Sequence, residues 1–205
     1  MRPLTVAVVA LIAMTPPLAA QTASTPAPAR GPVVVPPAAQ QIAAAVLPLP
    51  EPMRAGARVW GYAPDGRFIE LRPGTGSMTC IADDPKDTMF HVACYHNTME
   101  PFMARGRELR AHGAAQGVVD STRRAEVLGG SIRMPPTAGL YSLTGPAASY
   151  DAATNTTHGA NRLYVIYVPF ATAESMGIPA TPVRGQPWIM HPGEPNAHVM
   201  FVPDM

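Results

Sequence analysis

The stretch CIADDPKDTMFHVACYH, residues 80–96, contains both cysteines of the chain and two of its six histidines. Its apolar-rich ends flank an acidic turn, which predicts two short neighbouring strands. Thirteen residues lie between Cys80 and Cys94, a separation that suits neighbouring strands of a hairpin. An even cysteine count is typical of disulfides in exported proteins, and residues 1–20 predict export. We therefore predict a Cys80–Cys94 disulfide; a reactive thiol or a metal-bound thiolate is the functional alternative.

The rest of the chain repeats this use of short strands between turns rich in Gly and Pro. Strand patterns occur at residues 58–62, 67–72, 77–82, 90–95, 139–143, 162–169, 188–190 and 198–202. Between the fourth and fifth of these, helical patterns occupy residues 97–112 and 118–128, and Asn97 and Glu100 have capping-box spacing. This order predicts an α+β fold: a mainly antiparallel sheet of short strands with two central helices packed on one face. The first four strands are expected to form an antiparallel meander.

Three regions are predicted along the chain. Residues 1–20 have the pattern of a secretory signal peptide, in which a basic residue precedes a short apolar run and a small-residue cleavage site. Residues 21–52 are rich in Pro and Ala and predict an extended tether. A short helix is expected over residues 38–47 of that tether. Residues 53–205 then form a single α+β domain.

The composition limits the classes of partner that we expect. Only 14% of the residues are charged, and the formal net charge is +1 at pH 7. Nucleic acids and anionic membrane surfaces select basic patches, so neither is an expected partner. After signal cleavage, no apolar segment of the sequence is long enough to span a bilayer. We expect an exported protein, either periplasmic or secreted.

His191, Glu194 and His198 form the first candidate metal set. They belong to the segment HPGEPNAH, which closes a turn, and the two histidines are expected to face each other across it. Two imidazoles and a carboxylate are a credible set of zinc ligands. The spacing differs from the helical metalloprotease signature, because two prolines and a glycine exclude a helix there. A structured turn without metal is the alternative.

His91 and His96 flank Cys94 in the predicted hairpin. Successive residues of a strand alternate faces, so His91 shares a face with Ala93 and Tyr95 while His96 follows Cys94. The two imidazoles are therefore not expected to converge on one ion. Each is a candidate metal ligand, and a hydrogen-bonded structural histidine is the alternative.

Two further groups suggest metals but also have ordinary explanations. Twelve methionines together with histidines suit copper, but Met99 and Met103 lie on the apolar face of the first predicted helix, where a core role is expected. Asp83, Asp84 and Asp87 crowd one turn with oxygen atoms that suit calcium, although Asp is an ordinary turn former. No cofactor is therefore assigned, and zinc or copper is the alternative.

The sequence carries no specific catalytic signature; the Gly-x-Ser-x-Gly elbow, for example, is absent. The predicted tether favours a non-catalytic exported module that binds a small molecule or an envelope protein, because a flexible leader gives such a module reach. The alternative is a metal-dependent hydrolase that uses some of the His and Glu candidates. A third hypothesis is a structural envelope protein whose exposed edge strand pairs with a partner.

Overall fold

A computed structural model describes residues 33–183 and 185–203 of the chain. The predicted signal peptide, residues 1–20, and the first part of the predicted tether, residues 21–32, lie outside the described residues. Within the two described ranges, none of the helices combines the length and the apolar composition that a bilayer crossing requires.

Two central helices are flanked by two sets of short strands. The α-helices are α1 (Ala38–Ala45), α2 (Glu51–Arg54), α3 (Glu100–Ala111), α4 (Gln116–Leu128) and α5 (Ala173–Met176). The strands are β1 (Arg58–Tyr62), β2 (Phe68–Arg72), β3 (Met78–Ile81), β4 (Met89–His96), β5 (Ala138–Pro146), β6 (Tyr150–Asp151), β7 (Thr156–Thr157), β8 (Asn161–Tyr167), β9 (Trp188–Met190) and β10 (His198–Phe201). The predicted strands and the two predicted central helices are thus present.

Eight of the strands form one sheet, in the order β2-β1-β3-β4-β5-β8-β10-β9. All neighbours in this sheet are antiparallel except β1 and β3, which confirms the predicted α+β fold with a mainly antiparallel sheet. The predicted meander of the first four strands is wrong, because β3 lies on the other side of β1 and runs parallel to it. The amides of Thr75 and Gly76 donate to the carbonyl oxygen of Gly56 at 3.0 and 2.8 Å, and these bonds direct the chain across the end of β1.

Helices cover both faces of this sheet. On one face, α1 and the loop after it pack against β1, β3 and β4 around Val59, Cys80 and Val92. On the other face, Phe102 of α3 and Val127 of α4 join a cluster that contains Tyr95. We call these the α1 face and the α3 face. The two central helices lie on one face, as predicted.

The predicted disulfide joins Cys80 to Cys94. These residues are directly opposite each other on β3 and β4, and their Cα atoms are 4.0 Å apart. Both side chains are fully buried, and Sγ of Cys94 lies 3.2 Å from the carbonyl oxygen of Ala45 in α1. The disulfide is therefore part of the core on the α1 face, and neither cysteine is a free thiol.

The segment before Met53 contributes to this core. Leu49 is only 1% exposed, and Ala45 and Val46 are buried beside it. The guanidinium of Arg162 on β8 donates to the carbonyl oxygen of Pro48 at 2.9 Å. Folded structure therefore begins before the boundary that the sequence suggested near Met53, because apolar side chains of α1 and its loop cover one face of the sheet.

Gln41 of α1 is a buried amide that pairs with the backbone of β1. Its Nε2 donates to the carbonyl oxygen of Tyr62 at 2.8 Å, and its Oε1 accepts from the amide of Tyr62 at 2.8 Å. Gly61 makes this approach feasible, since a Cβ at that position would lie 2.5 Å from Oε1 of Gln41. The side chain thus satisfies backbone groups that a neighbouring strand would otherwise bind.

Candidate functional site

A cleft of about 1110 Å³ lies between the α3 face of the sheet and helix α3. Side chains from β1, β2, β3, β4, β5 and β8 form one wall, and one side of α3 forms the other. The turn between β3 and β4 also contributes to the lining. A cleft of this size has room for a small-molecule ligand, since the pockets that hold such ligands usually measure roughly 300–1,000 Å³.

Small side chains account for the space in the cleft. Ala93 of β4 and Ala104 and Ala111 of α3 all line it. Larger apolar residues at these positions would fill the gap between the sheet and the helix, as they do in ordinary cores. The sequence therefore leaves this part of the α3 face open where the neighbouring part, around Phe102, is closed.

Three aromatic side chains on β1 and β2 form what we call the aromatic wall: Trp60, Tyr62 and Phe68. The rings of Trp60 and Phe68 are stacked with centroids 5.6 Å apart, and Tyr62 meets Phe68 edge to face at 5.4 Å. All three residues are half-buried and line the cleft. Nε1 of Trp60 is buried without a hydrogen-bond partner among the described residues. The wall offers flat apolar surface to the cleft.

Tyr95, Glu100 and Arg107 form a hydrogen-bonded network in the cleft. The hydroxyl of Tyr95 donates to Oε2 of Glu100 at 2.5 Å, and Arg107 donates to the Tyr95 hydroxyl at 2.7 Å and to Oε1 of Glu100 at 2.5 Å. The guanidinium of Arg107 also lies 5.7 Å from the ring centroid of Phe68. Burial raises the pKa of Tyr95, which keeps the phenol protonated. The network fixes α3 against β4 and shapes the cleft.

The predicted capping box at Asn97 and Glu100 is wrong, because both side chains bond elsewhere. Glu100 takes part in the network with Tyr95. The side chain of Asn97 donates to the carbonyl oxygen of Gly76 at 3.0 Å and accepts from the hydroxyl of Thr79 at 2.8 Å. A 3-10 turn over Asn97–Met99 precedes α3, which begins at Glu100.

The acidic turn between β3 and β4 uses its carboxylates to hold the backbone. Each accepts a hydrogen bond from an N–H group of the turn or strand: Asp83 from His91 at 2.7 Å, Asp84 from Lys86 at 2.9 Å and Asp87 from Thr88 at 2.8 Å. Burial raises the pKa of the Tyr62 hydroxyl, and the nearby carboxylate of Asp84 raises it further. Burial raises the pKa of Asp83 to about 6, against the lowering effect of the bond from His91. These bonds are those of turn-forming aspartates.

His191, Glu194 and His198 lie near β9 and β10, at the opposite end of the sheet from the aromatic wall. The two imidazole rings are neighbours, with centroids 5.7 Å apart. Burial lowers the pKa of His198, whose Nδ1 lies 2.8 Å from the carbonyl oxygen of Asn196. Glu194 is ion-paired with Arg124 of α4, and this hydrogen bond lowers the pKa of the carboxyl group. The carboxylate is thus engaged with α4.

His91 and His96 each bond to a nearby threonine. Nδ1 of His91 lies 2.7 Å from Oγ1 of Thr144 on the neighbouring strand β5, and Nδ1 of His96 lies 2.8 Å from Oγ1 of Thr98. His91 lines the cleft together with Ala93. This agrees with the predicted alternation of faces along β4.

The structure does not bring the five metal candidates together. Strands β5 and β8 separate β4, which carries His91 and His96, from β10, which carries His198. Within residues 33–183 and 185–203, no group of three or more His, Cys, Asp or Glu side chains is arranged to hold a metal ion. Of the four candidate histidines, His191 and His198 are the pair whose imidazole rings are neighbours within those ranges.

Sequence reasoning did not single out the residues that dominate the cleft, namely Trp60, Tyr62, Phe68, Arg107 and Arg110. Their signals were present: two aromatic residues two positions apart on a strand, and two arginines three positions apart on a helix. Both patterns place side chains on one side of their element. Comparisons with known protein families, with curated proteins and with solved structures found no match.

Proposed function

We propose that this protein is an exported binding protein whose cleft takes up a small amphipathic molecule. The aromatic wall carries the proposal, since three half-buried rings border a cleft of about 1110 Å³. A ligand that covers these rings removes apolar surface from water, at about 25 cal/mol per Å².

Two observations support export and binding. The Cys80–Cys94 disulfide is typical of oxidising compartments, which agrees with the signal sequence predicted over residues 1–20. In the cleft, the polar groups of Tyr95, Glu100 and Arg107 are bonded to one another, so they fix its shape instead of presenting a nucleophile. The alternative of a metal-dependent hydrolase has less support, because its candidate ligands lie on separate parts of the sheet.

A neutral fluorescent dye tests the proposal. N-phenyl-1-naphthylamine becomes brighter when it enters an apolar site, and we expect it to bind the mature protein saturably with one dye per chain. Ala104→Leu places an isobutyl group in the cleft. This variant should bind the dye at least tenfold more weakly, as measured by fluorescence titration.

Ala125→Leu is the matched control, because it makes the same change at an exposed position of α4. It should bind the dye as the wild type does, and circular dichroism should show both variants folded. The proposal is wrong if the wild type binds no dye saturably, or if a folded Ala104→Leu protein binds as tightly as the control.

A further inference from the structure

Helices α3 and α4 carry five arginines, and four of them have a carboxylate partner. Their ion pairs are Arg105 with Glu126 at 2.7 Å, Arg107 with Glu100 at 2.5 Å, Arg123 with Asp120 at 2.9 Å, and Arg124 with Glu194. Glu108, the remaining acidic residue of the two helices, bonds to Arg105 at 2.9 Å. Among the residues that the structure describes, Arg110 has no ion pair or hydrogen bond.

The surroundings of Arg110 are positively charged. A Cβ on Gly106 would lie 3.0 Å from Nη1 of Arg123 and 3.4 Å from Nη2 of Arg110, so two guanidinium groups meet above this glycine. Partial burial, followed by the nearby charges of Arg123 and Arg107, lowers the pKa of Arg110, against the smaller raising effect of the Asp120 carboxylate, which is paired with Arg123. A cation that is crowded by like charges and has no ion pair of its own gains from an anion more than an isolated surface arginine does.

Arg110 also lies at the cleft. It follows Arg107 by three positions on α3, and it lines the same cavity as Trp60, Tyr62 and Phe68 of the aromatic wall. One small molecule can therefore contact the guanidinium and the rings together.

Four carboxylates also line the cleft, and each already accepts a hydrogen bond or an ion pair within the protein: Asp84, Asp87, Glu100 and Glu108. The other two lining cations, Lys86 and Arg107, have partners as well. Among the described residues that line the cleft, the charged group without an ion pair or hydrogen bond is therefore Arg110.

We propose that the ligand of this cleft is an amphipathic anion, whose carboxylate or sulfonate binds Arg110 while its apolar part lies against the aromatic wall. This inference rests on the proposed binding function and adds the chemical class of the ligand. A planar guanidinium suits the group, because it donates two parallel hydrogen bonds to a carboxylate or sulfonate.

Two dyes that differ in one charged group test the inference. 8-Anilinonaphthalene-1-sulfonate is N-phenyl-1-naphthylamine with an added sulfonate, so the pair isolates the contribution of the anion. The wild type should bind the sulfonate dye about tenfold more tightly than the neutral dye. Arg110→Gln should bind the two dyes equally well, and its affinity for the neutral dye should differ less than twofold from that of the wild type. Arg110→Lys keeps the positive charge and should retain part of the preference for the sulfonate dye.

Arg133→Gln is the control, since Arg133 is exposed and does not line the cleft; both affinities should equal those of the wild type. If Arg110→Gln binds both dyes as the wild type does, the anion does not bind Arg110 and the inference fails while the binding function stands. If Arg110→Gln loses the same factor of affinity for both dyes, Arg110 has a structural role, and this too would overturn the inference. If neither dye binds the wild type, the proposed function fails and the inference fails with it.

Discussion

At the scale of single residues, Gln41 makes a contact that the fold depends on. Gln41→Leu keeps the size of the side chain but leaves the amide and carbonyl groups of Tyr62 without their partner. We expect the free energy of unfolding to fall by about 2–3 kcal/mol, since each buried unpaired polar group costs on the order of 1–3 kcal/mol. Urea unfolding measures this, and Gln40→Leu at the neighbouring position serves as control. Equal effects of the two changes would contradict the role given to Gln41.

Asp83 predicts a pH dependence of stability. Its folded pKa is about 6 and its ordinary value is 3.8, so the folded state binds the proton more tightly. The stability that protonated Asp83 contributes is therefore complete below about pH 4 and is lost as the pH rises through 6. Asp83→Asn should reduce this slope and stabilise the protein at pH 7 by on the order of 1 kcal/mol, a value reduced for partial exposure.

Urea midpoints of the wild type and of Asp83→Asn at pH 4, 5, 6 and 7 measure that slope. Asp65→Asn is a suitable control, because Asp65 is exposed and the hydrogen bond from Arg67 lowers its pKa. Its replacement should leave the loss of stability between pH 4 and 6 in place. An unchanged slope in Asp83→Asn would show that the carboxyl group titrates normally.

At the scale of elements, the disulfide pins β3 to β4 beneath α1. Replacing both Cys80 and Cys94 by Ala should lower the free energy of unfolding by roughly 3 kcal/mol, the loop-closure value for a loop of about 15 residues. Urea unfolding of the oxidised wild type and of the double variant gives the difference. The urea midpoint of the wild type, measured in the presence of a reductant, should approach the urea midpoint of the variant. Coincident midpoints for the oxidised wild type and the variant would contradict the expectation.

The existence of the elements followed from local patterns, but their order in the sheet did not. The strand patterns at residues 58–62, 67–72 and 162–169 predicted β1, β2 and β8, because each of these signals lies within a few neighbouring residues. The parallel pairing of β3 with β1 depends on bonds from Thr75 and Gly76 to Gly56, some twenty residues away. The start of helix α3 was mispredicted for the same reason. Local spacing suggested that Glu100 caps the helix, but its carboxylate bonds to Tyr95 and Arg107, which only the folded chain places beside it.

At the scale of the whole molecule, the cleft exists because the two faces of the sheet are covered unequally. On the α1 face, Leu49 and its neighbours close the core, whereas Ala93 and Ala104 leave part of the α3 face open. The candidate site could not be predicted because its residues come from several strands and a helix. In isolation, Trp60 and Tyr62 have the alternating pattern of ordinary half-buried strand residues. The disulfide was predictable, since it needed only two cysteines at hairpin spacing.

Helix α1 is synthesised before almost everything that it covers. Pro48 receives its hydrogen bond from Arg162, which lies 114 residues later, and Ala44 packs with Leu143 of β5. These contacts have high sequence separation, so the chain pays a large loop-closure entropy before they form. The first-made part of the described chain can pack early against β1, β3 and β4, but its contacts with β5 and β8 form only when those strands exist. A nascent chain that stops short of β5 would leave Ala44 without Leu143 and Pro48 without Arg162, so part of the apolar surface of α1 would stay exposed.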